Sequence, residues 1–346
     1  MNNNSFIKKT VIFATIAILI TIILFAQKKD TTPLSLRWKK VEKLAEQQLP
    51  ESALQEVNEI LAQAKEDNNS IQIIIANIYK MRFTLEIDPD KAPVLIREFE
   101  TMAQNETALD KKALLLSMSA EMYANYYQNN AWTIDQRTKV EGTIPEDIKE
   151  WTKNIFYDKI EILLSLSLQN KADLQQTDAL KYEALLDKGD DSRLFQPTLF
   201  DFLAYRSIHI LQQVSQACDL KNPLQNDTYY ANATDFVKFV QDSAYTSTVE
   251  NKTMSIYQQL IEFHTNNNNQ QALVYADLNR LQFIKGIRQD NELYLKALNE
   301  LEQKYASNEL LVEVLNYKAA FYLDPFNIPN NNSNKRTAYD ICNRGI

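Results

Sequence analysis

The chain has 346 residues, only four glycines and a formal net charge of −8. Parallel α/β enzymes and β-sandwiches need many glycines for tight turns, so this composition disfavours both classes and favours helices. The acidic balance also disfavours a nucleic-acid-binding protein. The sequence contains neither G-x-G-x-x-G nor G-x-x-x-x-G-K-[ST], so a loop that cradles phosphates is not expected.

A charge-free apolar run occupies residues 10–26 and follows Lys8 and Lys9 directly. A basic segment followed by an apolar segment is typical of an export signal. The run is slightly long for a signal peptide and slightly short for a membrane-spanning helix, which needs about 20 residues. Residues 1–26 are therefore predicted to be either a cleaved signal peptide or a single membrane anchor. In both cases the remaining chain is exported, to the periplasm or to the periplasmic side of the membrane.

Helical periodicity follows a short linker, residues 27–33, and extends to residue 324. Apolar side chains recur there at three- and four-residue spacing, which is typical of helices that bury one face. Residues 70–86 are apolar nearly all round, so that helix is expected to lie between neighbours. In chain order, helices are predicted at residues 34–49, 51–65, 70–86, 92–104, 108–129, 146–170, 174–187, 192–217, 232–243, 249–265, 270–284, 290–305 and 308–322.

The order of helix, short turn and helix predicts an array of hairpins. Leu36 and Ser70 are 34 residues apart, which is the tetratricopeptide period. Ala53 and Val57 suit that repeat, but the glycine of its first helix is missing, so the repeat is degenerate. One hairpin cannot bury its apolar face alone, whereas stacked hairpins bury their faces jointly. The predicted fold is an all-α, degenerate tetratricopeptide-like array of helical hairpins over residues 34–324.

Several segments interrupt or follow this array. Residues 130–149 predict a long loop packed by Trp132, residues 219–231 a polar loop, and residues 325–334 an asparagine-rich loop. Residues 335–346 begin a new amphipathic helix whose apolar face has no predicted partner; that face carries Ala338, Ile341 and Cys342. This pattern is interpreted as the front of a longer polypeptide. A short C-terminal helix that docks on the array is the alternative.

One predicted helix places Asp201, Tyr205 and His209 in a row, at positions i, i+4 and i+8. The row has two interpretations: a proton-handling site, or a well-capped helix that packs against its neighbours. Thr198 and Asp201 match the S/T-x-x-D/E capping box, which favours the second interpretation. The aromatic and imidazole side chains expected to pack or to line a groove are Trp38, Trp132, Tyr205 and His209.

Metal-ligating and nucleophilic residues are scarce in this chain. The sequence has two histidines and two cysteines, and neither C-x-x-C nor H-E-x-x-H occurs. No metal, cofactor or catalytic site is therefore predicted. His264 is expected at a solvated helix end. Cys218 and Cys342 either form a disulfide, which export would allow, or are two small buried apolar residues.

Three stretches together resemble a known family. They are R-W-K-K-V-E-K-L-A-E-Q-Q-L-P-E-S-A-L-Q-E-V-N-E-I (residues 37–60), Y-Y-Q-N-N-A-W-T-I-D-Q-R-T (126–138) and F-Q-P-T-L-F-D-F-L-A-Y-R-S-I (195–208). Their order and content are similar to the N-terminal helical region of large alpha-2-macroglobulin family proteins of Bacteroidetes-type bacteria. Gln196 replaces an arginine of that family's pattern and Tyr205 replaces a histidine, which favours packing over chemistry in this helix.

The resemblance implies a large envelope protein that traps proteases, in which a helical head precedes macroglobulin domains, a bait segment and often a thioester. The thioester needs C-x-E-Q, which this sequence does not contain, so no inhibitory residue is assigned. The resemblance therefore predicts a non-catalytic head that positions the protein or binds protein partners in protease defence. The alternatives are a free-standing tetratricopeptide-like scaffold that binds a peptide or an envelope protein, and a helical lyase or glycosidase, which rests on carboxylates alone.

Overall fold

A computed structural model describes residues 33–138, 142–186, 192–327 and 332–344. The segment predicted as a signal peptide or anchor, residues 1–26, lies outside these ranges and stays a prediction. Within the described ranges, no helix combines the length and the hydropathy needed to cross a membrane.

The described ranges contain α-helices and short 3-10 turns and no β-strand, so the all-α prediction is confirmed. Their arrangement is consistent with an array of helical hairpins, and its tetratricopeptide-like character stays a prediction. The chain divides into two compact units. The first unit comprises the described residues up to Ser192 together with Thr198–Ala217. The second unit comprises Arg193–Pro197 and the described residues from Cys218 onward.

The first unit is a series of helices joined by short turns. Its helices are α1 (Pro33–Glu46), α2 (Pro50–Glu66), α3 (Ser70–Ile87), α4 (Ala92–Asn105), α5 (Leu109–Ile134), α6 (Lys153–Ser167) and α7 (Lys171–Gln176). The four-residue helix α8 (Ser192–Phe195) belongs to the second unit from Arg193 onward, and the first unit resumes with α9 (Leu199–Gln213). Packing is mainly between sequence neighbours: α1 on α2, α2 on α3, α4 on α5 and α5 on α6. Helix α9 packs on α5 and on α7, which closes the unit.

Local sequence explains why α2 and α3 form where they do. Pro50 occupies the first turn of α2, where its fixed φ suits a helix and its missing N–H costs nothing. Asn69 caps α3 by accepting a hydrogen bond from the Gln72 backbone N–H at 3.2 Å. The prediction that this apolar helix lies between neighbours is confirmed, because α3 buries side chains around most of its circumference: Ile74, Ile75, Ala76, Ile78, Tyr79, Phe83 and Leu85.

The predicted loop at residues 130–149 is wrong in its start and in its packing. Helix α5 continues to Ile134, since no glycine or proline interrupts residues 109–134 and asparagine and glutamine are tolerated in a helix. Trp132 is 81% exposed, so it does not hold the loop against the helices. Trp151 holds the loop instead: its Nε1 donates to the Pro145 carbonyl at 2.7 Å, and its own carbonyl accepts from Arg137 at 2.6 Å.

Four other predicted helices are shorter than expected. The predicted helix 192–217 is divided into α8 and α9, because Pro197 cannot continue a helix and Thr198 caps the second one. The predicted helix 174–187 is replaced by α7, which ends at Gln176, and by a 3-10 turn over residues 179–185. Asp178 starts that turn because its carboxylate accepts from the Leu180 N–H at 2.9 Å, an alternative to continuing the α-helix. The predicted helix 146–170 is the 3-10 turn 148–150 followed by α6, and the predicted helix 232–243 forms only over Ala233–Lys238.

The second unit includes Arg193–Pro197 and, after the loop at residues 219–231, its described residues form six helices packed in sequence order. These are α10 (Ala233–Lys238), α11 (Val249–Asn266), α12 (Gln270–Arg288), α13 (Asn291–Lys304) and α14 (Leu311–Leu323), followed by α15 (Asn332–Asn343). Helix α11 packs on α12 and α14 packs on α15. Asn269 and Asp290 cap α12 and α13 by accepting from backbone N–H groups three residues on.

The prediction that the last helix has no partner for its apolar face is wrong. Helix α15 begins at Asn332, and its Ala338 and Ile341 are buried against Leu315 and Ala319 of α14. Helix α14 carries these residues at i and i+4, which provides a matching apolar stripe. Helix α15 therefore docks on the array, while the interpretation of this segment as the front of a longer polypeptide stays a prediction. Cys342, expected on the same face, is exposed.

Glu302 on α13 fastens this C-terminal pair of helices. Its Oε2 accepts from Lys318 Nζ of α14 at 2.6 Å, and its Oε1 accepts from the Arg344 guanidinium just beyond α15. Burial alone would raise the pKa of Glu302, but the bonds from Lys318 and Arg344 outweigh it and lower that pKa below its usual value. The carboxylate is therefore stabilised in its charged form.

Replacing Glu302 with glutamine should lower the free energy of unfolding by about 1 kcal/mol at neutral pH. A carboxyl whose folded-state pKa is lowered contributes stability above its unfolded pKa, and that stability is lost as the pH falls through the folded pKa. The difference between Glu302→Gln and the parent should therefore be full above about pH 5 and shrink below about pH 4 in urea titrations followed by circular dichroism. Glu300→Gln, exposed on the same helix, is the control and should change nothing. A difference that is constant with pH would contradict this.

Candidate functional site

The predicted capping box of α9 is confirmed. The Thr198 hydroxyl oxygen accepts from the Asp201 backbone N–H at 3.3 Å. Asp201 Oδ2 accepts in return from the Thr198 N–H at 3.0 Å and from its hydroxyl at 2.8 Å. Asp201 is fully buried, so these bonds satisfy a carboxylate that has no access to water. Its place in the first turn also lets it interact with the positive end of the helix.

The rest of the predicted row does not converge on one point. Tyr205 is half-buried, whereas His209 is exposed and its Nε2 lies 2.9 Å from the Gln213 side-chain nitrogen. Arg206 forms an ion pair with Glu121 of α5, so it fastens α9 to a neighbouring helix. The geometry matches the interpretation of this helix as capped and packed.

Thr198→Ala should lower the free energy of unfolding by about 1 kcal/mol, because the Asp201 N–H and carboxylate both lose a partner. Asp201→Asn should cost a similar amount. All three tryptophans lie in the first unit, so urea unfolding followed by tryptophan fluorescence reports on it. Thr133→Ala, at an exposed position of α5, is the control and should stay within about 0.5 kcal/mol of the parent. An equal effect of both threonine changes would argue against the cap.

Trp38, expected to pack or to line a groove, packs. It is 3% exposed, its Nε1 donates to Gln72 Oε1 at 2.8 Å, and its ring centroid lies 4.8 Å from that of Tyr79. The indole therefore joins α1 to α3. A buried tryptophan whose N–H is satisfied in this way stabilises a helix interface.

A buried carboxylate on α4 collects donors that the sequence did not single out. Glu100 Oε2 accepts from the Tyr123 hydroxyl at 2.7 Å. Its Oε1 accepts from Lys159 Nζ at 2.5 Å and from Gln104 Nε2 at 2.8 Å. Because Tyr123 lies on α5 and Lys159 on α6, this carboxylate junction joins three helices. Both oxygens are occupied by protein donors.

Aromatic rings surround the carboxylate junction. Trp151 stacks on Tyr123 with centroids 5.5 Å apart and an interplanar angle of 9°. Lys159 Nζ lies 5.7 Å from the Tyr123 ring centroid. Burial, and next the hydrogen bond to Glu100, raise the pKa of Tyr123 well above its usual value. The tyrosine therefore stays protonated and acts as a donor.

A second unpredicted cluster, the arginine clamp, centres on Arg280 of α12. This side chain is 1% exposed. Its Nη1 donates to the Tyr229 carbonyl at 2.7 Å, its Nη2 to the Ala231 carbonyl at 2.9 Å, and its Nε to Asp277 Oδ1 at 2.9 Å. The guanidinium carbon lies 4.4 Å from the Phe236 ring centroid, so the cation also gains from the ring. The clamp holds loop 219–231 against α12.

That loop was predicted as polar, and the structure corrects this. Leu224, Tyr229 and Tyr230 are buried. Leu224 adopts a φ of 53°, in the left-handed region, and the Asn222 side chain accepts from its N–H at 2.9 Å. The Asn222 amide nitrogen donates to Asn251 of α11 at 2.7 Å, so polar side chains fix the loop from inside.

Of the predictions for the histidines and cysteines, some are confirmed and others are wrong. His264 was expected to be solvated but is buried, with its ring centroid 4.8 Å from that of Phe263. Both cysteines are free thiols. Cys218 is buried, as one interpretation expected, and its thiol donates to the Leu220 carbonyl at 3.0 Å; for the exposed Cys342 that interpretation is wrong. Across the described ranges, no three or more histidine, cysteine or acidic residues are grouped to hold a metal ion.

Comparison with known proteins returns no relative: the chain matches no model of a protein family, no curated protein and no solved structure. The candidate sites are therefore defined by their own geometry, as the capping box of α9, the carboxylate junction on α4 and the arginine clamp on α12. In each of them the polar atoms bond mainly to other parts of the protein. What they do chemically is hold helices and a loop in place.

Proposed function

We propose that this chain is the N-terminal helical region of a large, exported, alpha-2-macroglobulin-like envelope protein. In this proposal it positions the protein or binds a protein partner in protease defence and carries out no chemistry itself. The support is the resemblance in three stretches, residues 37–60, 126–138 and 195–208. The all-α fold fits the helical head that the resemblance implies.

The observation that carries the proposal is what these stretches do in the fold. In the first stretch Lys40 pairs with Glu56 at 2.5 Å, which ties α1 to α2. In the second, the Tyr127 hydroxyl donates to Asp135 Oδ1 at 3.0 Å and Arg137 binds the Trp151 carbonyl. The third contains the capping box of α9. Each of the three stretches thus contains residues that fix a helix end or a helix contact, which fits the helical head that the resemblance implies.

A protease assay tests the non-catalytic part of the proposal. The 346-residue chain, incubated with general proteases, should neither inhibit them nor form covalent adducts, because it lacks C-x-E-Q. The encoding DNA, read past the codon for Ile346, should continue into a long β-rich sequence with a bait segment. Covalent capture of a protease by these residues alone would overturn the proposal, and so would a stop codon directly after Ile346.

The second candidate is a free-standing tetratricopeptide-like scaffold that binds a peptide or an envelope protein. It is favoured by the packing of α1 on α2 and of α2 on α3, since hairpins stacked in sequence order are typical of repeat scaffolds. The two candidates differ in their dependence on a trap. If deleting residues 34–324 from the gene leaves protease trapping unchanged in cells and removes binding of an envelope protein, the scaffold role is the correct one.

A further inference from the structure

Trp132, near the end of α5, stands in solvent. It is 81% exposed, whereas Trp38 and Trp151 are 3% and 6% exposed. Apolar surface in water is unfavourable by about 25 cal/mol per Å², so an uncovered indole gains free energy when a ligand covers it. Trp38 and Trp151 stabilise the fold through their ring contacts and N–H hydrogen bonds, whereas Trp132 is not buried in any such contact.

The side chains beside the indole are polar and fixed. Gln128, one turn earlier, donates through Nε2 to the Gln213 carbonyl at 2.9 Å, which leaves its Oε1 as an acceptor. Asp135, three residues later, accepts from the buried Tyr127 hydroxyl through Oδ1, which leaves its Oδ2 as an acceptor. Asp135 directly follows α5 and keeps right-handed helical backbone angles. Residues three and four apart in that conformation have Cβ atoms about 5–6 Å apart, so both side chains lie beside Trp132.

Helical side chains tilt toward the helix N-terminus, so we expect the indole to lie on the side of Gln128. The surface therefore combines a flat aromatic face, the indole N–H donor and two oriented acceptors. Few, fixed polar groups beside an apolar face are what orients a small ligand. Since the acceptors are already held by protein bonds, little conformational entropy is lost when a ligand binds.

The chemistry that fits this surface is a neutral sugar. The C–H face of a pyranose ring stacks on an aromatic face, and its hydroxyl groups donate to oxygen acceptors. Anionic partners fit poorly against the carboxylate of Asp135, whose Oδ2 is the acceptor offered at this surface. The same carboxylate would repel a phosphate backbone or an anionic lipid.

We propose that Trp132, flanked by Gln128 and Asp135, is a binding platform for a neutral sugar ring within an oligosaccharide. The indole stacks on the ring, and the Gln128 and Asp135 oxygens accept from its hydroxyl groups. The platform goes beyond the proposed function, since neither a protease nor a thioester takes part in it. Its test needs no protease, so its outcome is independent of the outcome of the protease assay.

The test is titration of the full chain, in a detergent without a sugar headgroup, with cellotetraose and with chitotetraose. Isothermal calorimetry should give a dissociation constant of about 0.1–1 mM for at least one of them. Acrylamide quenching of tryptophan fluorescence should decrease with the same midpoint, because Trp132 supplies the quenchable fraction. No heat and no protection up to about 10 mM of either sugar would overturn the proposal.

Variants localise the binding. Trp132→Ala should weaken binding at least about tenfold, the loss of one aromatic contact, and Trp132→Phe should lie between it and the parent. Asp135→Asn keeps an acceptor for Tyr127 and should weaken binding severalfold. Phe326→Ala removes another exposed aromatic, 96% exposed in the second unit, and should change nothing. Unchanged affinity in Trp132→Ala would overturn the proposal.

An experiment with lipid vesicles distinguishes sugar binding by Trp132 from contact of Trp132 with a membrane. Phosphatidylglycerol vesicles should leave the quenching of Trp132 unaltered when residues 27–346 are used, provided that this fragment keeps the helical circular dichroism of the full chain. A blue shift that vesicles cause and neither sugar causes would assign Trp132 to a membrane surface and overturn the sugar platform.

Discussion

Replacing Arg280 with methionine should lower the free energy of unfolding of the second unit by about 3–5 kcal/mol. Methionine fills a similar volume but supplies no donor. The Tyr229 and Ala231 carbonyls then lose their partners, and Asp277 stays buried with an uncompensated charge. Urea titrations followed by circular dichroism should show an early loss of helix. Tryptophan fluorescence, which follows the first unit, gives the separate reference.

The matched control for the arginine clamp is a double variant. Adding Asp277→Leu to Arg280→Met removes the stranded carboxylate and should recover part of the lost stability, since a buried ion pair can be replaced by apolar residues at small cost. Arg336→Met, at an exposed site of α15, should stay within about 0.5 kcal/mol of the parent. A loss below about 1 kcal/mol in Arg280→Met would contradict the clamp as the anchor of loop 219–231.

Replacing Glu100 with glutamine should lower the free energy of unfolding of the first unit by about 2 kcal/mol. Glutamine keeps the size of the side chain but removes the charge that Lys159 neutralises, and one of its two terminal atoms becomes a donor facing a donor. Lys159 is partly exposed and retains some solvation, so the effect is smaller than at the arginine clamp. Since Trp151 stacks on Tyr123, tryptophan fluorescence should also change before the main transition.

Glu98 provides the control on the same helix. It lies two residues earlier on α4, and it is exposed. Glu98→Gln makes the same chemical change without touching the carboxylate junction, so it should be neutral within about 0.5 kcal/mol. Equal destabilisation by the two changes would mean that the cost comes from the net charge of the helix and not from the junction.

Local signals made most helices predictable. Helices such as α3, α11 and α12 start at an asparagine or threonine cap and carry a periodic apolar pattern, so their starts were predicted correctly. Helix ends were predicted wrongly where two local signals, apolar periodicity and a polar residue that can cap or end a helix, point to different boundaries. The asparagines near the end of α5 favour a loop, but the helix continues to Ile134. Apolar periodicity predicts a continuous helix over 174–187, whereas Asp178 begins a 3-10 turn there.

Sites were predictable only where their residues are close in sequence. Thr198 and Asp201 are three residues apart, and their pattern identified the capping box. Lys159 meets Glu100 across 59 residues, and Arg280 reaches the Tyr229 carbonyl across 51 residues. No short pattern encodes such contacts, because they depend on which helices pack together. The burial of His264 and the exposure of Trp132 depend on packing in the same way.

The two thiols lie in different environments, so their reactivities differ and can report on local opening of the protein. Cys342 is exposed, so a thiol-specific reagent should modify it in the native state. Cys218 is buried at the start of the second unit, beside the loop that Arg280 holds, so it reacts only when that region opens. The ratio of the two modification rates therefore measures the free energy of local opening at the loop, without denaturant and without any engineered cysteine.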